Sequence, residues 1–391
     1  MNTPPPPGGV CVERIVAGAE TITGCFGGTD PALRSRLDSF VDKLNRRGLP
    51  TEQDREAAES QLRAVLITRL SLARDRRRIR AVADETIERP IFVIGFSRTG
   101  TSLLHSLLAQ DEGSQAPRWW QTHSPSPPPG EIAVTAHRRA ATARELDRFL
   151  AKTPGLLTLH PYWDEGADSL IEDEEIATLD FQNAYPSLLF DIPGQEVMGS
   201  SFEPRGAHEF QKQFFQHQQW NLPPKRWVAK GIYHQFALSS LFETFPDALC
   251  LWPHRDPASV QASTLAIATV VYGGISRWNI DRHSMAEAFV TGARDTLERL
   301  IADPIVDDPR IMHVHFDTVA KDPIGVVRRA YAQWDLPFAA PFEAAMRRWL
   351  DDAANRSDRY GRYDYALEPF GFDANGIRAM FANYARRFGL T

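Results

Sequence analysis

The chain has 391 residues, of which 43% are hydrophobic, 24% charged and 10% aromatic, enough for a sizeable core and incompatible with wholesale disorder. Lys plus Arg number 44 against 50 Asp plus Glu, a formal charge of -6, so composition gives no global footprint for nucleic acid or an anionic membrane. Three cysteines (Cys11, Cys25, Cys250) form neither a disulfide framework nor a metal spacing, and no apolar run approaches the roughly 18 to 20 residues that span a bilayer.

Residues 1–12 open with prolines and glycines and read as a disordered tail. They show no basic segment followed by an apolar one, so no secretory signal is expected and the protein is read as cytoplasmic. Residues 13–88 form an N-terminal helical extension, with a charged helical pattern from Asp30 to about Asp84 and Leu62, Leu66, Leu70 and Leu72 at helical spacing. The basic run Arg74, Arg76, Arg77, Arg78 and Arg80 within it reads as a solvated face. Pro90 to Ile94 then forms a short β-branched run expected as a buried strand, residues 95–100 a glycine-bounded turn, and residues 101–110 a helix with Leu103, Leu104, Leu107 and Leu108.

Residues 124–130 carry four prolines and read as a loop. Residues 131 to about 220 are expected to be mostly helical, with aromatics at Phe181, Tyr185 and Phe190. The acids Glu172, Asp173, Glu174 and Glu175 read as a solvated helix start. Further strands are expected at 226–230, 248–252 and 311–316, with helices after Pro257, from Pro323 to Trp334 and at the C-terminus. Strands alternating with long helices predict an α/β fold, a mostly parallel sheet flanked by helices in a three-layer, P-loop NTPase-like core.

Gly95-Phe96-Ser97-Arg98-Thr99-Gly100-Thr101-Ser102 lies between a predicted strand and a predicted helix. Such a loop wraps an anion in backbone N–H groups at the positive end of the helix. Its spacing is that of the triphosphate loop G-x-x-x-x-G-K-[ST], but Thr101 stands where the lysine belongs, which disfavours a P-loop kinase or NTPase. A second anion site is expected at His254-Arg255-Asp256-Pro257. There Asp256 suits an N-cap and Pro257 a first helical position, while Ser259 and Ser263 lie four apart on one helix face. Two anion sites fit a nucleotide phosphorylated at both its 5′ and 3′ ends.

The loop with Leu103-Leu104 after it resembles the 5′-phosphosulfate loop of sulfotransferases that use 3′-phosphoadenosine 5′-phosphosulfate (PAPS), in the bacterial and tyrosylprotein form. Arg255 followed eight residues later by Ser263 resembles the family's 3′-phosphate motif. Further likenesses to the bacterial branch are Arg226-Trp227-Val228-Ala229-Lys230-Gly231-Ile232-Tyr233-His234, Phe245-Pro246-Asp247-Ala248, the proline-rich loop, and Tyr365 through Gly371. Gly231 and Ile232 depart from the usual Ser-Pro, Gln121 stands where many relatives carry a glutamate, and Leu103 replaces the adenine-stacking tryptophan of the vertebrate branch.

The resemblance implies a sulfotransferase domain over residues 89–391 that passes a sulfuryl group from PAPS to a hydroxyl of a small acceptor, without a metal. Arg98, Thr99, Gly100, Thr101, Ser102, Arg255 and Ser263 would hold the donor. Arg98 and Lys230 would stabilise the leaving phosphate, with His234 as first choice of base and His123 and Glu175 as second choices. Trp119, Trp120, Tyr162 and Trp163 read equally as lining of an apolar acceptor pocket or as packing, and aromatic richness hints at a hydrophobic acceptor. His313 and His315 share one side of a predicted strand and read as ordinary strand residues, not metal ligands. A non-catalytic nucleotide-binding protein stays in view because of Gln121, Gly231 and Ile232. Nucleic acid is not an expected partner, and a homodimer is left open.

Overall fold

The computed structural model describes residues 9–49, 51–131, 136–182, 203–275 and 281–390. Tyr185 and Phe190, read above among the aromatics of a helical region, lie outside them. The centre is a five-stranded sheet of β1 (Ile91–Val93), β2 (Ser114–Gln115), β3 (Arg226–Lys230), β4 (Leu249–His254) and β5 (Ile311–His315), in the order β2-β3-β1-β4-β5. Every pairing is parallel: Phe92 sits opposite Ala229 on one side and Cys250 on the other.

Side chains alternate across the sheet with the period of two that a strand imposes. Ile91, Val93, Val228, Leu249 and Leu251 join one apolar cluster, with Leu104, Leu107, Val327 and Tyr331 from the covering helices. Phe92, Ala229, Cys250 and Trp252 face a larger cluster on the opposite side. Burial on both faces explains why the strands read as short, unbroken apolar runs.

Helices α1 (Val12–Thr23), α2 (Pro31–Arg47) and α3 (Glu52–Arg78) precede the sheet. Asp30 and Thr51 cap α2 and α3 through the backbone N–H groups of Leu33 and Asp54. Ile15, Leu33, Leu37, Leu62, Leu66 and Leu70 join the same apolar cluster as the sheet's second face. Arg36 and Arg69 both reach the carboxylate of Asp180, at 2.5 and 2.7 Å. These helices are a layer of the core, more than an extension beside it. Val10, in the stretch read as tail, is 1% exposed, and its N–H donates to Asn45 at 2.8 Å.

After β1 come α4 (Thr101–Leu108), α5 (Trp119–His123), α6 (Ala136–Lys152), α7 (Leu156–Leu159) and α8 (Glu174–Leu179), then α9 (Pro204–Gln219), α10 (Leu238–Thr244) and α11 (Pro257–Ile275). The stretch between α7 and α8 carries only single 3₁₀ turns, where the sequence pattern suggested mostly helix. The C-terminal helix divides into Ala374–Met380 and Ala382–Phe388. No helix among the described residues is long and apolar enough to cross a membrane.

Candidate active site

β3, β1 and β4 are neighbours and run parallel, so their carboxyl ends deliver three segments to one edge of the sheet. β1 leads into residues 95–100. Gly95 has φ 114°, and a Cβ there would lie 2.9 Å from the Trp252 ring, so only glycine fits the start of the loop. Thr99 closes it by donating its hydroxyl to the Phe96 carbonyl at 2.7 Å, and Gly100 caps α4. β3 ends on Lys230, whose ammonium donates to Ser102 Oγ in the first turn of α4 at 3.1 Å and to Glu172 at 2.6 Å.

β4 delivers Arg255. Its guanidinium lies 4.1 Å over the Phe316 ring and donates to the main-chain carbonyl of Arg98 at 2.8 Å. Arg98, with a left-handed φ of 71°, donates in turn to Ser263 Oγ on α11 at 2.8 Å and to the Tyr365 hydroxyl at 3.1 Å. Among the described residues neither guanidinium has a carboxylate within salt-bridge distance, although Arg98 is half-buried. Burial, then the charge of Arg98, holds the Arg255 pKa below its ordinary value. Two cations fixed by hydroxyls, a carbonyl and a ring, with no direct carboxylate partner among the described residues, form a preorganised site for an anion.

Behind Lys230, three successive acids grip the turn that follows β3. Glu172 holds the Lys230 ammonium. Asp173 takes its own N–H to the Lys230 carbonyl at 2.7 Å, and its carboxylate lies 2.8 Å from His234 Nε2. Glu174 Oε1 accepts from the N–H groups of Ile232 and Tyr233 at 2.6 and 3.0 Å. The other ring nitrogen of His234 is 3.1 Å from His208, which reaches the Ser240 hydroxyl at 2.6 Å.

The match to known proteins follows the same segments. Residues 90–340 fit the model of the sulfotransferase family. The chain belongs to the sulfotransferase family. It is 26% identical over 291 residues to the omega-hydroxy-beta-dihydromenaquinone-9 sulfotransferase Stf3 of Mycobacterium bovis, covering 71% of this chain and 70% of that protein. The sulfotransferase STF9 of Mycobacterium avium is similar over 100% of this chain and 99% of its own, with a TM-score of 0.83 at 26% identity. STF1 of Mycobacterium tuberculosis shares the fold, with a TM-score of 0.75 at 23% identity over 95% and 98% of the two chains.

In this sulfotransferase the residues expected from sequence at the donor loop, at Lys230 and at Arg255 and Ser263 do meet. The acidic stretch does not sit in solvent: Asp173, Glu174 and Glu175 are buried, because each of the first two has a buried partner to hold. Burial, then the Glu172 charge, pushes Glu174 up to about 8, and burial with Glu172 and Glu174 does the same to Glu175. Glu175, a second choice of base from sequence, is thus buried and largely protonated at neutral pH.

His234 is 0% exposed, and both its nitrogens are engaged, so in this arrangement it has none to offer an acceptor. Burial drives it down to about 3. His123 is also engaged at both nitrogens, by the Trp119 carbonyl at 3.1 Å and Glu145 at 3.2 Å. Gln121 accepts from the Arg118 N–H at 2.7 Å in the first turn of α5, a structural bond. Trp119, Trp120 and Trp163 are buried in packing, while Tyr162 is half-buried. His313 bonds His254 at 2.8 Å and the Val306 carbonyl at 2.9 Å, and no metal-holding group occurs among the described residues. Sequence reasoning missed Glu172 and Asp173 as partners of Lys230 and His234, and Tyr365 as partner of Arg98.

Proposed function

We propose that this sulfotransferase uses PAPS and transfers its sulfuryl group to a hydroxyl of a small, hydrophobic acceptor. The observation that carries the reading is the pair Arg98 and Arg255, neither ion-paired among the described residues and bridged through Ser263 and the donor loop. One edge of the sheet thus offers backbone N–H groups and Arg98 for a 5′-phosphosulfate and Arg255 with Ser263 for a 3′-phosphate. Sulfuryl transfer, like phosphoryl transfer, asks mainly for positioning and for charge placed where the leaving oxygen gains it. Lys230, pinned between Ser102 and Glu172, and Arg98 are suited to that oxygen. His234 then serves to hold the turn after β3, and through it Lys230.

The name of the Stf3 relatives, which act on an omega-hydroxylated dihydromenaquinone, supports a hydroxyl on an apolar molecule as acceptor. Thr101, at the position of the triphosphate-loop lysine, argues against ATP as the group donor. Calorimetric titration with adenosine 3′,5′-bisphosphate, the expected product, against 5′-AMP and ATP without added metal tests the reading. Preference for the bisphosphate is expected; equal or tighter binding of ATP would overturn it.

A further inference from the structure

Away from the donor loop, β5 is the last strand of the sheet, and its outer edge has no partner strand among the described residues. Residues 312–315 of β5 border a cavity of about 420 Å³, the size of a site for a small organic molecule. Successive strand residues point to opposite faces, so a cavity that touches all four opens at the edge. Met312, Val314 and Phe388 line it with apolar surface, and Thr318, Arg329 and Arg387 with polar groups. No carboxylate is among the described residues that line it. Arg329 comes from the helix Pro323–Gln333, whose Val326 and Val327 pack on the face of the sheet that carries Ile91. Arg387 comes from the helix Ala382–Phe388, which packs on the opposite face. A guanidinium therefore reaches the cavity from each side of the sheet.

The histidines of this cavity are spent on its wall. A carbonyl can only accept, so His313 donates its Nε2–H to Val306 at 2.9 Å. Its Nδ1 then accepts from His254 Nε2 at 2.8 Å, and His254 Nδ1 accepts from the Tyr384 hydroxyl at 2.8 Å. His315 donates its Nε2–H to the Phe388 carbonyl at 2.7 Å, which fastens the end of the C-terminal helix to β5. The wall is thus held by its own bonds. The cations are not: Arg329 is exposed and has no hydrogen bond or ion pair among the described residues, and neither has the Thr318 hydroxyl. Arg387 lies over the Phe388 ring at 5.4 Å and shares its charge with Asp307, an exposed acid that does not line the cavity. Arginines from two sides, a free hydroxyl and an apolar floor are complementary to an oxyanion carried on an apolar body.

We propose that the cavity at the β5 edge is a second ligand site, for a small organic phosphate or sulfate monoester. The ester's oxyanion takes Arg329, Arg387 and Thr318, and its organic part lies on Met312, Val314 and Phe388. The site is distinct from that of the donor. In the helix Phe316–Lys321, Phe316 supports Arg255 at the donor loop while Thr318 lines the cavity. The ester therefore binds together with the nucleotide, not in its place.

Calorimetric titration with phenyl phosphate and with phenyl sulfate tests the assignment, with excess adenosine 3′,5′-bisphosphate present to keep the probes out of the donor site. At least one ester is expected to bind with a Kd of about 1 mM or tighter, and the tighter of the two tells which head group the site prefers. Inorganic phosphate, which has no apolar body, is expected to bind at least about tenfold more weakly. Arg329→Ala is expected to weaken the ester at least about tenfold, the worth of a hydrogen bond to a charged group. It should keep the parental urea midpoint, because Arg329 is exposed and without a polar partner among the described residues. Arg328→Ala removes the neighbouring charge, which is bonded to Glu343 and does not line the cavity, and is expected to leave affinity within about twofold. A Kd weaker than about 1 mM for both esters, inorganic phosphate bound as tightly as they are, or equal losses in the two variants overturns the assignment.

Discussion

Arg255 reaches the donor loop through one bond, to the carbonyl of Arg98, and is otherwise held by the face of Phe316. Neither contact is an ion pair, so removing the side chain should cost ligand more than fold. Arg255→Ala is expected to weaken adenosine 3′,5′-bisphosphate by about 10- to 150-fold, the worth of a hydrogen bond to a charged group, and to leave 5′-AMP little changed. Calorimetry on both ligands checks this; equal losses would mean that Arg255 does not read the 3′-phosphate. Glu174 makes the opposite kind of contact. Its Oε1 serves two backbone N–H groups, and at about 8 its carboxyl keeps a proton at neutral pH. An amide oxygen can replace it, so Glu174→Gln should fold and turn over like the parent, whereas Glu174→Ala should lose about 1–3 kcal/mol in urea unfolding.

The turn after β3 shows why its glycine departs from the bacterial pattern. A Cβ on Gly231 would lie 2.9 Å from the His234 ring and 3.1 Å from Glu174 Oε2, closer than either can tolerate without shifting. Gly231→Ala is therefore expected to cost about 1–3 kcal/mol and to lower PAPS turnover with it, since the same turn follows Lys230. A variant with parental urea midpoint and turnover would show the turn to be more yielding. At this scale the strands and the donor loop were legible because their signals are local: Ile91 to Ile94 is an apolar run, and glycines at 95 and 100 bound a strand-to-helix junction. The acids were misread for the opposite reason. Glu172, Asp173 and Glu174 look like a solvated helix start until β3, 58 to 61 residues away, brings Lys230, Ile232 and His234 against them. Helix α1 falls within the helical extension expected from residue 13, but its partner, α3, lies some 45 residues on, as Arg14 against Glu59 shows.

Across the whole molecule, burying so many titratable groups without charge gives stability a pH dependence with a definite sign. Glu174 and Glu175 rise from an ordinary 4.5 to about 8 in the folded chain. Between those values the unfolded chain gives up protons that the folded one keeps, so stability is full below about 4.5 and falls as pH rises towards 8. His105, His217 and His234 shift the other way, from 6.5 to about 3, 4 and 3, so they withdraw stability as pH falls below about 6.5. Below about 7.5 the two sets oppose each other. Above it the histidines are neutral in both states and the raised acids act, each by at most about 1.4 kcal/mol per pH unit. The melting temperature is therefore expected to decline in scanning calorimetry as pH rises from about 7.5 through 8. The Glu174→Gln, Glu175→Gln double variant should flatten that limb, because an amide has no proton to surrender. A parental melting temperature that holds or rises over this range, or an undiminished decline in the double variant, would mean that the acids are ionised in the fold. The three-acid grip on the β3 turn would then be a cluster of charges balanced by Lys230, not a neutral hydrogen-bonding frame around a single ion pair.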